Sequence, residues 1–267
     1  MKDIFFLNGL PRAGNTLFSS IMNQNPDVAV TANSICADMM GELFMLKHTD
    51  IFKNYPDHKS FNNVAKSVFE NYYKDWKQNY IIDRAPWGLP INLKLLKETR
   101  SNIKIIVLVR DTIEVLASFI RWSQKEPTSF VNQYAAKTVE EKCDMLMNKD
   151  GIIVKELIGI KHLLDHQPKE IYHLVEYNTL VEHPRKTIDS IYEFLGIPKF
   201  KHQFINLNQF KVNNMEYDDT ILGKGIHSIK IDKIKKDNYD AYSIIPSSIV
   251  NKYKQCNFWQ QEENVSK

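Results

Sequence analysis

The chain has 267 residues, 43% hydrophobic and 25% charged, with 35 Lys and Arg against 32 Asp and Glu for a formal net charge of +3. That length holds one large domain or two small ones with a substantial core, and the composition is that of a soluble globular protein. A charge so near balance argues for neither nucleic acid nor membrane, and no run approaches the ~18 apolar residues of a membrane span, so any basic site must be local.

The N-terminal MKDIFFLNGL has one Lys, then Asp3, and only four apolar residues before Asn8. That pattern predicts no signal peptide. Cys36, Cys143 and Cys256 lie far apart, without metal-ligand spacing or a disulfide framework. The expected location is the cytoplasm.

In chain order, IFFL (4–7) predicts a strand, and GLPRAGNTLF (9–18) a loop running into a helix that starts near Asn15. Helical periodicity follows around 34–47 and across 60–78. YII (80–82) predicts a second strand ending in Asp83. IKIIVLV (103–109) is nearly continuous in apolar residues, as in a parallel strand buried on both faces. DTIEVLASFIRW (111–122) is the clearest helix, with Asp111 placed to cap it, and 137–164 is also helical. After IYHLVEY (171–177), HPRKTIDSIYEFLG (183–196) carries Pro184 for its first turn and Gly196 for its stop. The stretch 200–245, rich in Lys, Asp and Asn, predicts surface loops. SSIVNKYKQCNFW predicts a terminal helix with a frayed charged tail. Strands alternating with helices predict one layered α/β domain with a mainly parallel sheet.

The opening loop nearly spells a triphosphate loop. Gly9 and Gly14 have its glycine spacing and Thr16 its hydroxyl, but Asn15 stands where the lysine belongs. Between strand and helix, this loop would aim backbone N–H groups and a helix N-terminus at an anion. Arg12 adds a forked cation, and Asn15 and Thr16 add side-chain donors. Further on, Arg110 ends the IKIIVLV strand and Ser118 follows two helical turns into the next element. Arg110 must therefore curl back toward Ser118 or share a ligand with it.

Together, GLPRAGNTLFSSIMNQNPDV and IIVLVRDTIEVLASF resemble the sulfotransferase family that uses 3′-phosphoadenosine 5′-phosphosulfate (PAPS), closest to its tyrosylprotein, carbohydrate and bacterial branches. IIDRAPWGLP, YNTLVEHPRKTIDSIYEFLGI and LGKGIHSIK are similar to further family segments, so the resemblance runs from about residue 4 to about 232. It implies a P-loop-like three-layer sandwich. It also implies that Pro11, Arg12, Ala13, Gly14, Asn15, Thr16 and Leu17 hold the 5′-phosphosulfate, and Arg110 and Ser118 the 3′-phosphate. Tyr177 would meet the adenine, and Lys230 or Lys224 would reach back over the 5′ side.

The implied reaction is in-line sulfuryl transfer to a hydroxyl or amine, with adenosine 3′,5′-bisphosphate (PAP) released. Fixed cations and N–H dipoles would carry the developing charge. No metal is implied, and His162 and His166 lack a third partner. Arg84 aligns with a catalytic lysine of the tyrosylprotein branch, where it would stabilise charge; its bland alternative is a salt bridge with Asp83. The matching position for a family glutamate is Asn33, which orients a hydroxyl but takes no proton. Asp38, Glu42 and His227 stand as candidate bases.

The acceptor expected is a small molecule, carbohydrate or peptide, with homodimerisation left open. The Met- and aromatic-rich stretch 34–78 would serve either as an acceptor-side wall or as helix core. Two other readings stand beside this one. One is a small-molecule kinase with Asp83 holding Mg²⁺; the other is a nucleotide-binding module that lost its base.

Overall fold

The computed structural model describes residues 2–133, 135–236 and 238–260. Five strands form one all-parallel sheet. They are β1 (Asp3–Gly9), β2 (Val28–Val30), β3 (Tyr80–Arg84), β4 (Ile105–Val109) and β5 (Tyr172–Glu176), in the spatial order β2-β3-β1-β4-β5. Helices cover both faces, so the strands are apolar on both sides. Every residue of β4 is buried, as its unbroken IIVLV requires. This is the α/β sandwich expected from the sequence.

The central strand β1 is flanked by β3 and β4, and the chain winds outward from it in both directions. In open parallel sheets, the crevice beyond the strand ends at such a reversal is where ligands bind. The loop after β1, Arg84 at the end of β3, and Arg110 just after β4 all emerge there.

The helix after β1, α1 (Asn15–Met22), starts where expected. Next come α2 (Cys36–Leu46), α3 (Asp50–Asn54) and α4 (His58–Tyr72). The expected 60–78 helix stops at Tyr72, and residues 74–79 lead into β3. After β3, α5 (Pro90–Thr99) begins on a proline in its first turn. Asp111 caps α6 (Thr112–Lys125) by accepting from the N–H groups of Ile113 and Glu114.

Beyond α6 lies the short α7 (Phe130–Gln133). The expected 137–164 helix is two helices, α8 (Val139–Leu146) and α9 (Ile152–His166), broken at the Asn148–Gly151 turn. Tyr177, expected at a strand end, opens α10 (Tyr177–Glu182). Pro184 and Gly196 bracket α11 (Pro184–Leu195), Gly196 in the left-handed conformation at φ 73°.

Residues 200–236 form loops pinned to the body by buried Leu207, Phe210, Val212 and Ile226. The chain then runs through α12 (Ala241–Ile244), α13 (Ser247–Tyr253) and a 3-10 turn over Lys254–Cys256 to the buried Trp259. The charged tail lies outside the described residues. Met40, Phe69 and Tyr73 from the 34–78 stretch join the main core.

Candidate active site

A cavity of about 690 Å³ opens at the C-terminal ends of β1, β3 and β4. Its floor is the loop after β1. The first helical bond of α1 is from Phe18 N–H to the Gly14 carbonyl, which leaves the N–H groups of Asn15, Thr16 and Leu17 without a helical acceptor. No acidic residue occupies that first turn, so the helix end is open to an anion.

Two residues with left-handed backbone shape the loop, and only Arg12 is strained by it. Gly14 sits at φ 84°, and a Cβ there would lie 2.9 Å from the Tyr177 ring. Arg12 adopts φ 63° despite carrying a side chain. Strain of this kind persists only where the surroundings enforce it. Here the Arg12 Nε donates to Ser118 Oγ at 3.0 Å, and its Nη1 donates to the Ile226 carbonyl. Arg110 Nη1 in turn donates to the Arg12 carbonyl at 3.1 Å. Arg12 is therefore the link between Arg110 and Ser118, which are joined through the loop rather than to each other.

Arg110 is almost wholly buried. Its Nε donates to Glu114 at 3.0 Å, and its guanidinium lies 4.2 Å from the Tyr177 ring centre. Pro11, Arg12, Gly14, Thr16, Leu17, Arg110, Ser118, Tyr177 and Lys230 all line the cavity, with Lys233 and Lys235 adding charge.

Two expected donor-site residues, Ala13 and Lys224, do not line the cavity, and Asn15 lines it with its side-chain amide turned inward. Ala13 is fully buried in the core, and its N–H is spent on the Leu10 carbonyl. Asn15 does not present its amide outward: Nδ2 donates to the Leu10 carbonyl at 2.7 Å, bracing the loop from inside. Its Oδ1 lies where a Gly9 Cβ would be, 1.9 Å from that position, and has no partner among the described residues. Lys224 does not line the cavity. Its carbonyl is held by Trp122 Nε1 at 3.1 Å, and its exposed side chain lies toward Glu126.

Arg84 reaches the cavity and donates to Tyr217 Oη at 3.0 Å. The alternative salt bridge with Asp83 does not form, because neighbours on a strand point to opposite faces. Asp83 is fully buried on the other side, bonded to Tyr73 Oη and, at 2.8 Å, to Trp87 Nε1. Burial pushes its carboxyl up. A buried group of this kind is no Mg²⁺ ligand in the cavity, which removes the structural basis of the kinase reading.

Asn33 lines the cavity, as do the candidate bases Asp38 and His227, and Glu42 does not. His227 is the one with a partner suited to proton transfer. Its Nδ1 lies 2.6 Å from Asp219 Oδ1, and its ring stacks on Tyr217 with centres 3.6 Å apart and planes 8° from parallel. Burial pushes the imidazole below its ordinary value, Asp219 pulls it partly back, and Arg84 and Arg12 add to the lowering. These surroundings together disfavour the charged imidazolium.

The sequence reading missed Asp219, Tyr217 and Glu156, which sits on α9 and also lines the cavity. Of the 34–78 stretch only Ser34 and Asp38 reach it; the apolar wall comes instead from Phe119, Phe130, Ile152 and Leu222. Among the described residues, no three His, Cys, Asp or Glu side chains group as a metal site would require, and no helix is long and apolar enough to cross a membrane.

Residues 4–202 match the family model described as "Sulfotransferase family". That match ends before the segment bearing His227 and Lys230. No curated protein matches the chain. In structure, it is similar to a sulfotransferase from Alicyclobacillus acidocaldarius, 12% identical over 76% of this chain and 85% of that one, with a TM-score of 0.52. The sulfotransferase domain from the curacin biosynthetic pathway is 18% identical over 96% and 91%, with a TM-score of 0.49. A mouse sulfotransferase complexed with PAP is 17% identical over 74% and 59%, with a TM-score of 0.48. At 12% identity, the likeness to the first of these speaks to the fold alone.

Proposed function

The chain belongs to the sulfotransferase family, and on that premise we propose that it transfers a sulfuryl group from PAPS to an acceptor hydroxyl by in-line displacement. The observation that carries the reading is the cavity itself. A strained loop, an open helix N-terminus and the cations Arg12, Arg84, Arg110, Lys230, Lys233 and Lys235 converge on one space beside a His–Asp pair. Charged donors and backbone N–H groups of this kind suit a ligand with phosphates at both ends. The missing loop lysine fits a donor that transfers a group without a γ-phosphate to gather.

Bound PAPS would supply a sulfuryl group whose bond to the 5′-phosphate oxygen breaks as the acceptor oxygen attacks sulfur. Arg12 and the α1 N–H groups face that end of the donor, and Arg84 faces the reacting group from the tip of β3. Fixed charges there stabilise the negative charge that builds on the leaving oxygen. Arg110 and Ser118 serve the 3′-phosphate, with Arg110 exchanging its contacts to Glu114 for the ligand. His227 donates Nδ1–H to Asp219, which leaves the Nε2 lone pair to take the acceptor proton. Asp219 fixes the tautomer and steadies the imidazolium that results. The free thiols Cys36, Cys143 and Cys256 support a reducing compartment, the cytoplasm.

Thermal unfolding with nucleotides tests the donor assignment. PAP without Mg²⁺ is expected to raise the melting temperature, and ATP with Mg²⁺ is not; the reverse pattern would restore the kinase reading.

A further inference from the structure

Glu156 is an ionisable group in the cavity to which the proposed mechanism gives no task. It projects from the first half of α9, which crosses close over the end of β1. The closeness comes from two glycines: a Cβ on Gly88 would lie 2.5 Å from the Gly159 carbonyl oxygen, and one on Gly159 would lie 3.1 Å from Asn8 Oδ1. This contact brings Glu156 against Asn8, whose Nδ2 donates to Glu156 Oε2 at 2.8 Å. Asn8 is itself fixed, its Oδ1 accepting from Gly88 N–H at 2.7 Å. One carboxylate oxygen is thus anchored through Asn8 to the backbone. The other makes no hydrogen bond and no ion pair among the described residues.

A glutamine would accept the Asn8 bond equally well without the cost of burying an ionisable group. What glutamate adds is a second acceptor oxygen that can carry charge. Burial pushes this carboxyl up to about 7, and Arg84, across the cavity at the end of β3, opposes the rise. No other charged side chain acts on it appreciably; neither its neighbour Lys155 nor the charged residues of α8, which packs on α9, does so. The group is therefore available to a ligand rather than committed to a salt bridge.

The cavity's charge selects the ligand. With three arginines and several lysines around the space, an ammonium group is repelled, and a neutral hydroxyl is the donor that fits. We propose that Glu156 is a specificity-determining residue: its unheld oxygen accepts a hydrogen bond from a hydroxyl neighbouring the one that is sulfated, so the acceptor is a polyol of the sugar type. The apolar wall of Phe119, Phe130 and Leu222 would take the ring face or an aglycone. The inference rests on the sulfuryl-transfer reading above.

The test uses labelled PAPS with a panel of p-nitrophenyl hexosides and, as the single-hydroxyl probe, p-nitrobenzyl alcohol. At pH 8, where Glu156 is mostly ionised, wild-type enzyme is expected to favour a hexoside. Glu156→Gln should collapse that preference, with KM for the hexoside rising about tenfold or more, the weight of one hydrogen bond to a charged group, and kcat changing far less. A merely structural role would not move KM selectively. Thermal shifts with PAP on both proteins separate the two levels of inference. No PAP shift in wild type overturns the donor reading and this proposal together. A PAP shift with an unchanged preference in Glu156→Gln, or with transfer to no hexoside, overturns this proposal alone.

Discussion

Arg12 concentrates the chemistry at the residue scale. It holds a left-handed backbone, bonds Ser118 and the Ile226 carbonyl through its side chain, and offers its own carbonyl to Arg110. Arg12→Ala and Arg110→Ala should each weaken PAP binding by about 1.5–3 kcal/mol, the range for hydrogen bonds to charged groups. Isothermal calorimetry checks this, and unchanged affinity in either variant would remove that residue from the donor site. His227 gives a prediction in pH. If His227 is the base, its lowered value means that activity is lost only on the acid side, so kcat/KM for a single-hydroxyl acceptor should fall as pH drops, with a midpoint below the ordinary histidine value of 6.5. His227→Gln should lose that limb and fall by about 10²- to 10⁴-fold. With the single-hydroxyl acceptor, which has no neighbouring hydroxyl for Glu156 to hold, an acid limb that survives the substitution would assign the base elsewhere.

The glycines mark what backbone geometry demands at the scale of the element. Gly14→Ala meets both an unfavourable φ and the Tyr177 ring, and should cost about 1–3 kcal/mol in urea unfolding as well as donor affinity. Gly41, inside α2 with nothing within 4 Å of an added Cβ, is the contrast: Gly41→Ala should stabilise by about 0.5–1 kcal/mol. Equal effects at the two positions would contradict this view of the loop. These elements also show what the sequence could reveal. β4 was legible because burial on both faces leaves an unbroken apolar run, and the Arg110–Asp111 junction because a strand end followed by a capping residue has a local signature.

Other placements depend on which way a side chain points after the chain has folded. Ala13 and Asn15 lie in the correct loop, yet one faces the core and the other turns beneath Gly9. Spacing does not encode that choice. Glu156 reads in IIVKELIGI as an ordinary polar position on an amphipathic helix. Only the meeting of Gly88 with Gly159, 71 residues apart in sequence, turns it toward Asn8. Tyr217 and Asp219 come from loops whose path is set by long-range contacts, for which the sequence carries no period.

For the molecule as a whole, the parallel sheet gathers the ends of β1, β3 and β4 at one edge, and the site burdens stability in a measurable way. Glu156 has a folded value of about 7 against an ordinary 4.5. Its proton is held more tightly in the native state, so its contribution to stability is full below pH 4.5 and is lost as pH rises through about 7. Glu156→Gln removes that loss. In urea unfolding, the variant should gain on wild type between pH 5 and pH 8; a gap that is constant across this range would mean that Glu156 is not shifted by burial.

The central claim, that this cavity performs sulfuryl transfer, is tested most directly by following ³⁵S from labelled PAPS into acceptor while PAP is quantified. Wild-type enzyme is expected to release PAP and label the acceptor one for one. His227→Gln should still bind PAP while turnover falls away. Tight PAP binding by wild type, with no label in any sugar, phenol, lipid or peptide acceptor, would contradict the claim and leave a donor-binding module without catalysis.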